Sequence, residues 1–147
     1  KTHEIDIEKE LSLEYQVLTP ADFGFHNILN KGKNHFFIDF EYFGRDDPVR
    51  QILDFVHHGA SRKIDKKLKK YFLEKYEEKT NHKNLQERVK IIDPLVNMTW
   101  ILINFNFLSP SYIEHIKFSH EGFGEEYFEK LIGLRLKEIE EGLEEFK

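Results

Sequence analysis

The sequence predicts an α+β fold that is mostly α: one short β-hairpin in the first third, then a helical bundle. Two observations predict it. Residues 28–38 hold two short β-prone apolar runs around a turn cluster, and from Pro48 onward the apolar residues recur at helical spacing. A third sets the scale. The chain has 147 residues, enough for one domain with a real core, so a single domain over residues 1–147 is expected.

The first dozen residues are charged and without period, and read as an entry segment. The hairpin follows. Ile28 and Leu29 form one run, Lys31-Gly32-Lys33-Asn34 the turn, and Phe36, Phe37 and Ile38 the second run. After Gly44 the pattern reads as helix to the end. Pro48 suits a first helical turn, with Asp46 and Asp47 as caps. Val49, Ile52, Leu53 and Val56 mark its inner face, and Gly59 its stop. Ser61 is the expected cap of a second helix whose face is Ile64, Leu68, Tyr71, Phe72 and Tyr76. A third helix runs from Leu85 to Leu108, kinked or restarted at Pro94. Ser109-Pro110 opens a short fourth, and Glu125 to Phe146 forms the last. The 14 phenylalanines can supply most of a core. Trp100, Phe105, Phe107 and Leu108 read as core, and Glu138, Glu140, Glu141, Glu144 and Glu145 as solvated.

Composition excludes several classes. A net charge of −5 argues against nucleic acid as the main partner. The basic run Arg62, Lys63, Lys66, Lys67, Lys69 and Lys70 reads as the solvated face of the second helix, because Ile64 and Leu68 interrupt it at core spacing. With no cysteine there is no disulfide and no thiolate zinc site, and a reducing, cytoplasmic location is expected. No apolar run is long enough to span a membrane. The first residue is Lys1, so the chain is expected to be a piece of a longer product.

The chemistry gathers around the hairpin. With the turn centred near Lys33, Asn27 is expected opposite Asp39, their Cβ atoms roughly 5 Å apart on one face, with Ile28 and Ile38 turned into a core. An amide oxygen and a carboxylate so placed suit magnesium, which prefers hard oxygen ligands. Asp22 stands five residues before Asn27, the D-x-x-x-x-N spacing of a kinase catalytic loop. The bland alternative makes Asp22 a turn residue, Asn27 a side-chain cap and Asp39 a strand-end acceptor. His26 is a further candidate for a phosphate or a metal-bound water, and Glu41 shares the face of Asp39 if the strand continues. His57 and His58 are adjacent, hence on different helix faces, and make a poor metal pair.

Three stretches, Thr19-Pro20-Ala21-Asp22-Phe23-Gly24-Phe25-His26-Asn27, Phe37-Ile38-Asp39-Phe40-Glu41 and Asp46-Asp47-Pro48, together resemble the aminoglycoside phosphotransferase and choline kinase superfamily. In that family the loop reads H-G-D-x-x-x-x-N, the strand end I-D-[WF]-[EG], and a G-D-P turn opens a helix. The resemblance implies the C-terminal lobe of a protein-kinase-like fold. It implies Asp22 as catalytic base, Asn27 and Asp39 as magnesium ligands, ATP as co-substrate and a small-molecule hydroxyl as acceptor. The helices after Pro48 would then shape the acceptor pocket.

Two positions depart from the pattern. Pro20 replaces a bracing histidine, and Gln51 a supporting aspartate, for which Asp54 is the nearest substitute. No glycine-rich phosphate loop is present, and 21 residues before Asp22 cannot hold a nucleotide-binding lobe. The isolated chain is therefore expected to be inactive, to lack an N-terminal lobe as partner, and to be able to self-associate. The rival readings are a non-catalytic interaction domain of the same shape, and a helical nucleic-acid binder using residues 62–70.

Overall fold

A computed structural model of the chain describes residues 10–146 apart from 62, 63, 81, 83 and 121. The protein is α+β and mostly α. Four short strands come first: β1 (Val17–Thr19), β2 (Ile28–Lys31), β3 (Asn34–Phe37) and β4 (Gly44–Asp46). Five helices follow: α1 (Pro48–His57), α2 (Lys66–Thr80), α3 (Leu85–Asn106), α4 (Pro110–Ser119) and α5 (Glu125–Glu144). By contacts the chain divides into two compact units, residues 1–89 and 90–147, with the division inside α3.

In the first unit the hairpin β2–β3 forms where expected, but one residue out of the expected register. Ile28 pairs with Phe37, and Lys31 with Asn34. The connection is the two-residue turn Gly32-Lys33, with φ 63° at Gly32, a conformation glycine adopts without penalty. A one-residue shift exchanges the two faces of a strand. Asn27 therefore does not lie opposite Asp39, and Ile38 is 39% exposed rather than in a core. Instead the Ile38 N–H donates to the Asn27 carbonyl at 3.0 Å.

A second departure is β4. Gly44–Asp46, expected at the start of the helical part, pairs antiparallel with β1, Thr19 facing Gly44. This pairing closes the 24 residues between them into a loop that carries the hairpin.

Helix α1 begins as its sequence demands. Asp47 accepts the Val49 N–H at 2.9 Å, and Pro48, whose missing N–H costs nothing there, holds the first helical position. Val49, Ile52, Leu53 and Phe55 are buried, with Leu85 and Val89 of α3 in the same unit. The next cap is Asp65 rather than Ser61: its Oδ1 accepts the Leu68 N–H at 2.8 Å, and Ser61 instead lies in a 3-10 turn, Gly59–Ser61. Arg62 and Lys63 of the basic run lie outside the described residues. Lys69 of that run donates to the Val56 carbonyl near the end of α1 at 3.0 Å, and Lys70 pairs with Glu74 at 3.7 Å. A cation at a helix C-terminus is favourable, so Lys69 works as a strut.

The second unit packs α3, α4 and α5. α3 runs unbroken through Pro94. Gly142 of α5 lies against Ile101 of α3, where an added Cβ would come within 2.8 Å of Ile101 Cγ1, and Asn97 donates to the Gly142 carbonyl at 3.1 Å. Glu138, expected in solvent, is buried and accepts from Arg135 at 2.8 Å. A buried carboxylate needs such a partner. Arg135 also lies over the Phe107 ring, 4.5 Å from its centroid. Phe105, expected in the core, is half exposed. No single helix among the described residues is long and apolar enough to cross a membrane.

Between α1 and α2 the Tyr76 hydroxyl donates to Gln51 Oε1 at 2.6 Å. Burial, then the nearby Asp47 carboxylate, pushes the Tyr76 phenol up to about 12. The folded state thus holds this proton more tightly than the unfolded chain. Its contribution is complete below the unfolded tyrosine value of about 10 and is lost as pH rises from there through about 12. Urea unfolding followed across that window should show a fall in stability that is shallower in Tyr76→Phe; equal slopes in the two proteins would contradict the assignment.

Candidate functional site

The loop from Pro20 to Asn27 is built on backbone strain held by aromatic packing. The Asp22 N–H donates to the Pro20 carbonyl at 2.8 Å, closing a three-residue turn around Ala21, whose φ is 62°. A γ-turn with positive φ is strained, and an alanine there costs about 1–2 kcal/mol. Support comes from Thr19, fully buried in β1, whose Oγ1 accepts the Ala21 N–H at 3.1 Å.

Beyond Asp22 the side chains turn alternately. Phe23 packs on Phe55 of α1, Phe72 of α2 and Phe37 of β3, with centroids 5.5, 6.4 and 5.7 Å apart. Phe25 meets Phe55 edge-on at 5.4 Å. Phe25-His26-Asn27 then makes one 3-10 turn, closed by the Asn27 N–H on the Gly24 carbonyl at 3.1 Å.

This folding brings Asp22, His26 and Asn27 together. Asn27 is buried, and its Nδ2 donates to the Asp22 carbonyl at 2.9 Å and to Asp22 Oδ2 at 3.4 Å. His26 Nε2 lies 3.2 Å from the same Oδ2. A carboxylate only accepts, so His26 carries its proton on Nε2. The consequence is an asymmetry. Asp22 Oδ2 is engaged twice, while Oδ1 has no partner among the described residues. Likewise the Asn27 amide is oriented by its two donor bonds, which leaves Oδ1 to accept.

Asp39 is exposed and lies one residue past the Ile38–Asn27 bond, with φ 65°. Non-glycine residues adopt this conformation rarely, and it clusters at functional sites. Asn27 Oδ1 and the Asp39 carboxylate are both hard oxygens, the ligand type magnesium prefers, without a protein partner among the described residues. Glu41 does not share a strand face with Asp39, because β3 ends at Phe37 and residues 40–43 form a turn, the Phe43 N–H on the Phe40 carbonyl at 3.0 Å. Asp54 stands on α1 with its carboxylate 3.4 Å from Arg50.

His58, read from the sequence only as half of a poor metal pair with His57, belongs to this site. It caps α1, and its ring stacks on that of His26, centroids 4.3 Å apart and planes within 14°. Ligand atoms of Asp22, His26 and His58 lie within 4.8 Å of one another. Parallel stacked rings aim their nitrogen lone pairs side by side, not at one point. His58 Nδ1 moreover already accepts the Ala60 N–H at 3.0 Å. Together these make the trio a hydrogen-bonded brace and a poor cage for a transition metal.

Comparison with protein-family models, with curated proteins and with solved structures finds no match.

Ala21→Gly should stabilise the protein by about 0.5–1 kcal/mol, the relief of positive φ being partly offset by the greater freedom of glycine in the unfolded chain. Ala21→Val should destabilise it. Chemical denaturation of both variants checks this, and a destabilised Ala21→Gly would contradict the turn.

Proposed function

We propose that this chain is the C-terminal, acceptor-binding lobe of a magnesium-dependent kinase that uses ATP to phosphorylate a hydroxyl of a small molecule. The relationship we infer is to aminoglycoside phosphotransferases and choline kinases, and the cytoplasm is the location that goes with it. One observation carries the reading: within the loop Asp22 is held through Oδ2 and Asn27 through Nδ2, and the Oδ1 of each has no partner among the described residues.

Asp22 Oδ1 accepts the proton of the acceptor hydroxyl and aims the oxygen at the γ-phosphorus of ATP. A bond forms between that oxygen and phosphorus, the bond from phosphorus to the β,γ-bridging oxygen breaks, and ADP leaves. Asn27 Oδ1 and the Asp39 carboxylate would hold magnesium, which supplies neutralisation of the phosphate charge. His26 keeps Asp22 oriented. Phosphoryl transfer asks little else of a protein than such positioning.

Exposed apolar side chains support the idea of a missing partner lobe. Leu29, Phe36, Phe37, Phe40 and Phe43, on the hairpin and the turn after it, are each about half exposed. Surface of this kind is normally covered by something else. A nucleotide-binding lobe is that cover in this reading, and self-association of the isolated chain has the same cause. This exposure also favours one rival, a non-catalytic interaction domain, which the strained site argues against.

Magnesium titrated into the labelled chain should shift the Asn27 side-chain amide and the Asp39 backbone amide in NMR spectra. If both stay unmoved at millimolar metal, the interaction-domain reading is the better one. In a form that includes the nucleotide lobe, Asp22→Ala should lower kcat by about 10²–10⁴-fold, while the isolated chain should not turn over ATP. Near-normal kcat in that variant would remove Asp22 from the role of base.

A further inference from the structure

His26 does much for Asp22, yet its side chain is one-third exposed and sits on a loop. A lone hydrogen bond of 3.2 Å to a half-exposed carboxylate contributes too little to fix an imidazole in water. Two other surfaces hold the ring. The first is Gly24: a Cβ there would lie 2.6 Å from both Cε1 and Nδ1 of His26, so any other residue would push the ring away. The second is the face of His58.

His58 itself is fixed twice. Its N–H donates to the Asp54 carbonyl at 2.9 Å, ending α1, and its Nδ1 accepts from Ala60. The helix it ends is the one whose Val49, Ile52 and Leu53 form the core.

We infer that His58 is a positioning residue, which holds the His26 imidazole against the bare Gly24 backbone so that Nε2–H stays on Asp22 Oδ2 and Oδ1 stays open. The brace runs from core helix to His58, to His26, to Asp22. Its value for catalysis rests on the phosphotransfer reading; the clamp itself does not.

The test uses NMR on the 147-residue chain without nucleotide or metal. The wild-type protein should show cross-peaks between His26 Hε1 and Gly24 Hα, and a His26 Nε2–H resonance sheltered from exchange. In His58→Ala the cross-peaks should weaken severalfold and the Nε2–H resonance should vanish. His58→Phe, which restores a flat face but not the Ala60 bond, should keep both. Cross-peaks between Phe23 and Phe55 report that each variant is folded; where His58→Ala is not, His58→Leu replaces it, with the same expected loss. Wild-type signals in His58→Ala or His58→Leu overturn the inference, as does their loss in His58→Phe. A chain that keeps the clamp but ignores magnesium counts against phosphotransfer alone.

Discussion

The site depends on the grip of Phe23 and Phe25 on Phe55. The loop spends free energy on a strained turn at Ala21, about 1–2 kcal/mol. An aromatic pair contributes about 0.5–1.5 kcal/mol beyond simple burial, and this loop makes two with Phe55 and two more through Phe37 and Phe72. The packing thus exceeds the strain. Because Phe55 is buried on the same helix as Val49, Ile52 and Leu53, the loop is tied to the core of its unit and not merely to the surface. Asp22 is presented to solvent because its neighbour Phe23 is drawn the other way.

What the sequence revealed was what local chemistry dictates. Asp47 before Pro48 is a cap that few other residues could supply, and it forms. The five-residue spacing from Asp22 to Asn27 marked both as site residues, but not the bond between them, which forms only because the chain folds back through the 3-10 turn Phe25–Asn27. The hairpin was legible from its turn, but its register was not. Whether Gly32-Lys33 or three residues make the connection changes which face each side chain takes, and composition alone does not choose. The pairing of Val17–Thr19 with Gly44–Asp46 was hidden for another reason: three-residue strands carry no readable alternation. Glu138 was misread because a charge looks solvated until its partner, Arg135 three residues earlier, is seen to go inside with it.

His58 illustrates the limit most sharply. Beside His57 it looked like half of a poor metal pair. Its partner is His26, and the two meet only because the 3-10 turns Phe25–Asn27 and Gly59–Ser61 pack together at the end of α1. No local pattern encodes such a contact. The geometry also decides what the contact is. A ligand cluster and a brace can use the same three residues, and the difference lies in ring orientation and in which nitrogen is already engaged.

The same reasoning explains how Asp22 is held from both sides of its loop. A side-chain brace holds a loop by reaching across it. Here the backbone on one side is held by Thr19, which is buried, paired with Gly44 across β1 and β4, and bonded through Oγ1 to the Ala21 N–H. Proline adds to this by restricting its own φ and that of nothing after it, so the turn at Ala21 begins from a stiffened residue. On the other side His26 holds the carboxylate, and α1 holds His26 through His58. The support of Asp22 is thereby divided between a strand before it and a helix end after it. Each half is anchored in secondary structure, which opposes the strain of a short, exposed loop.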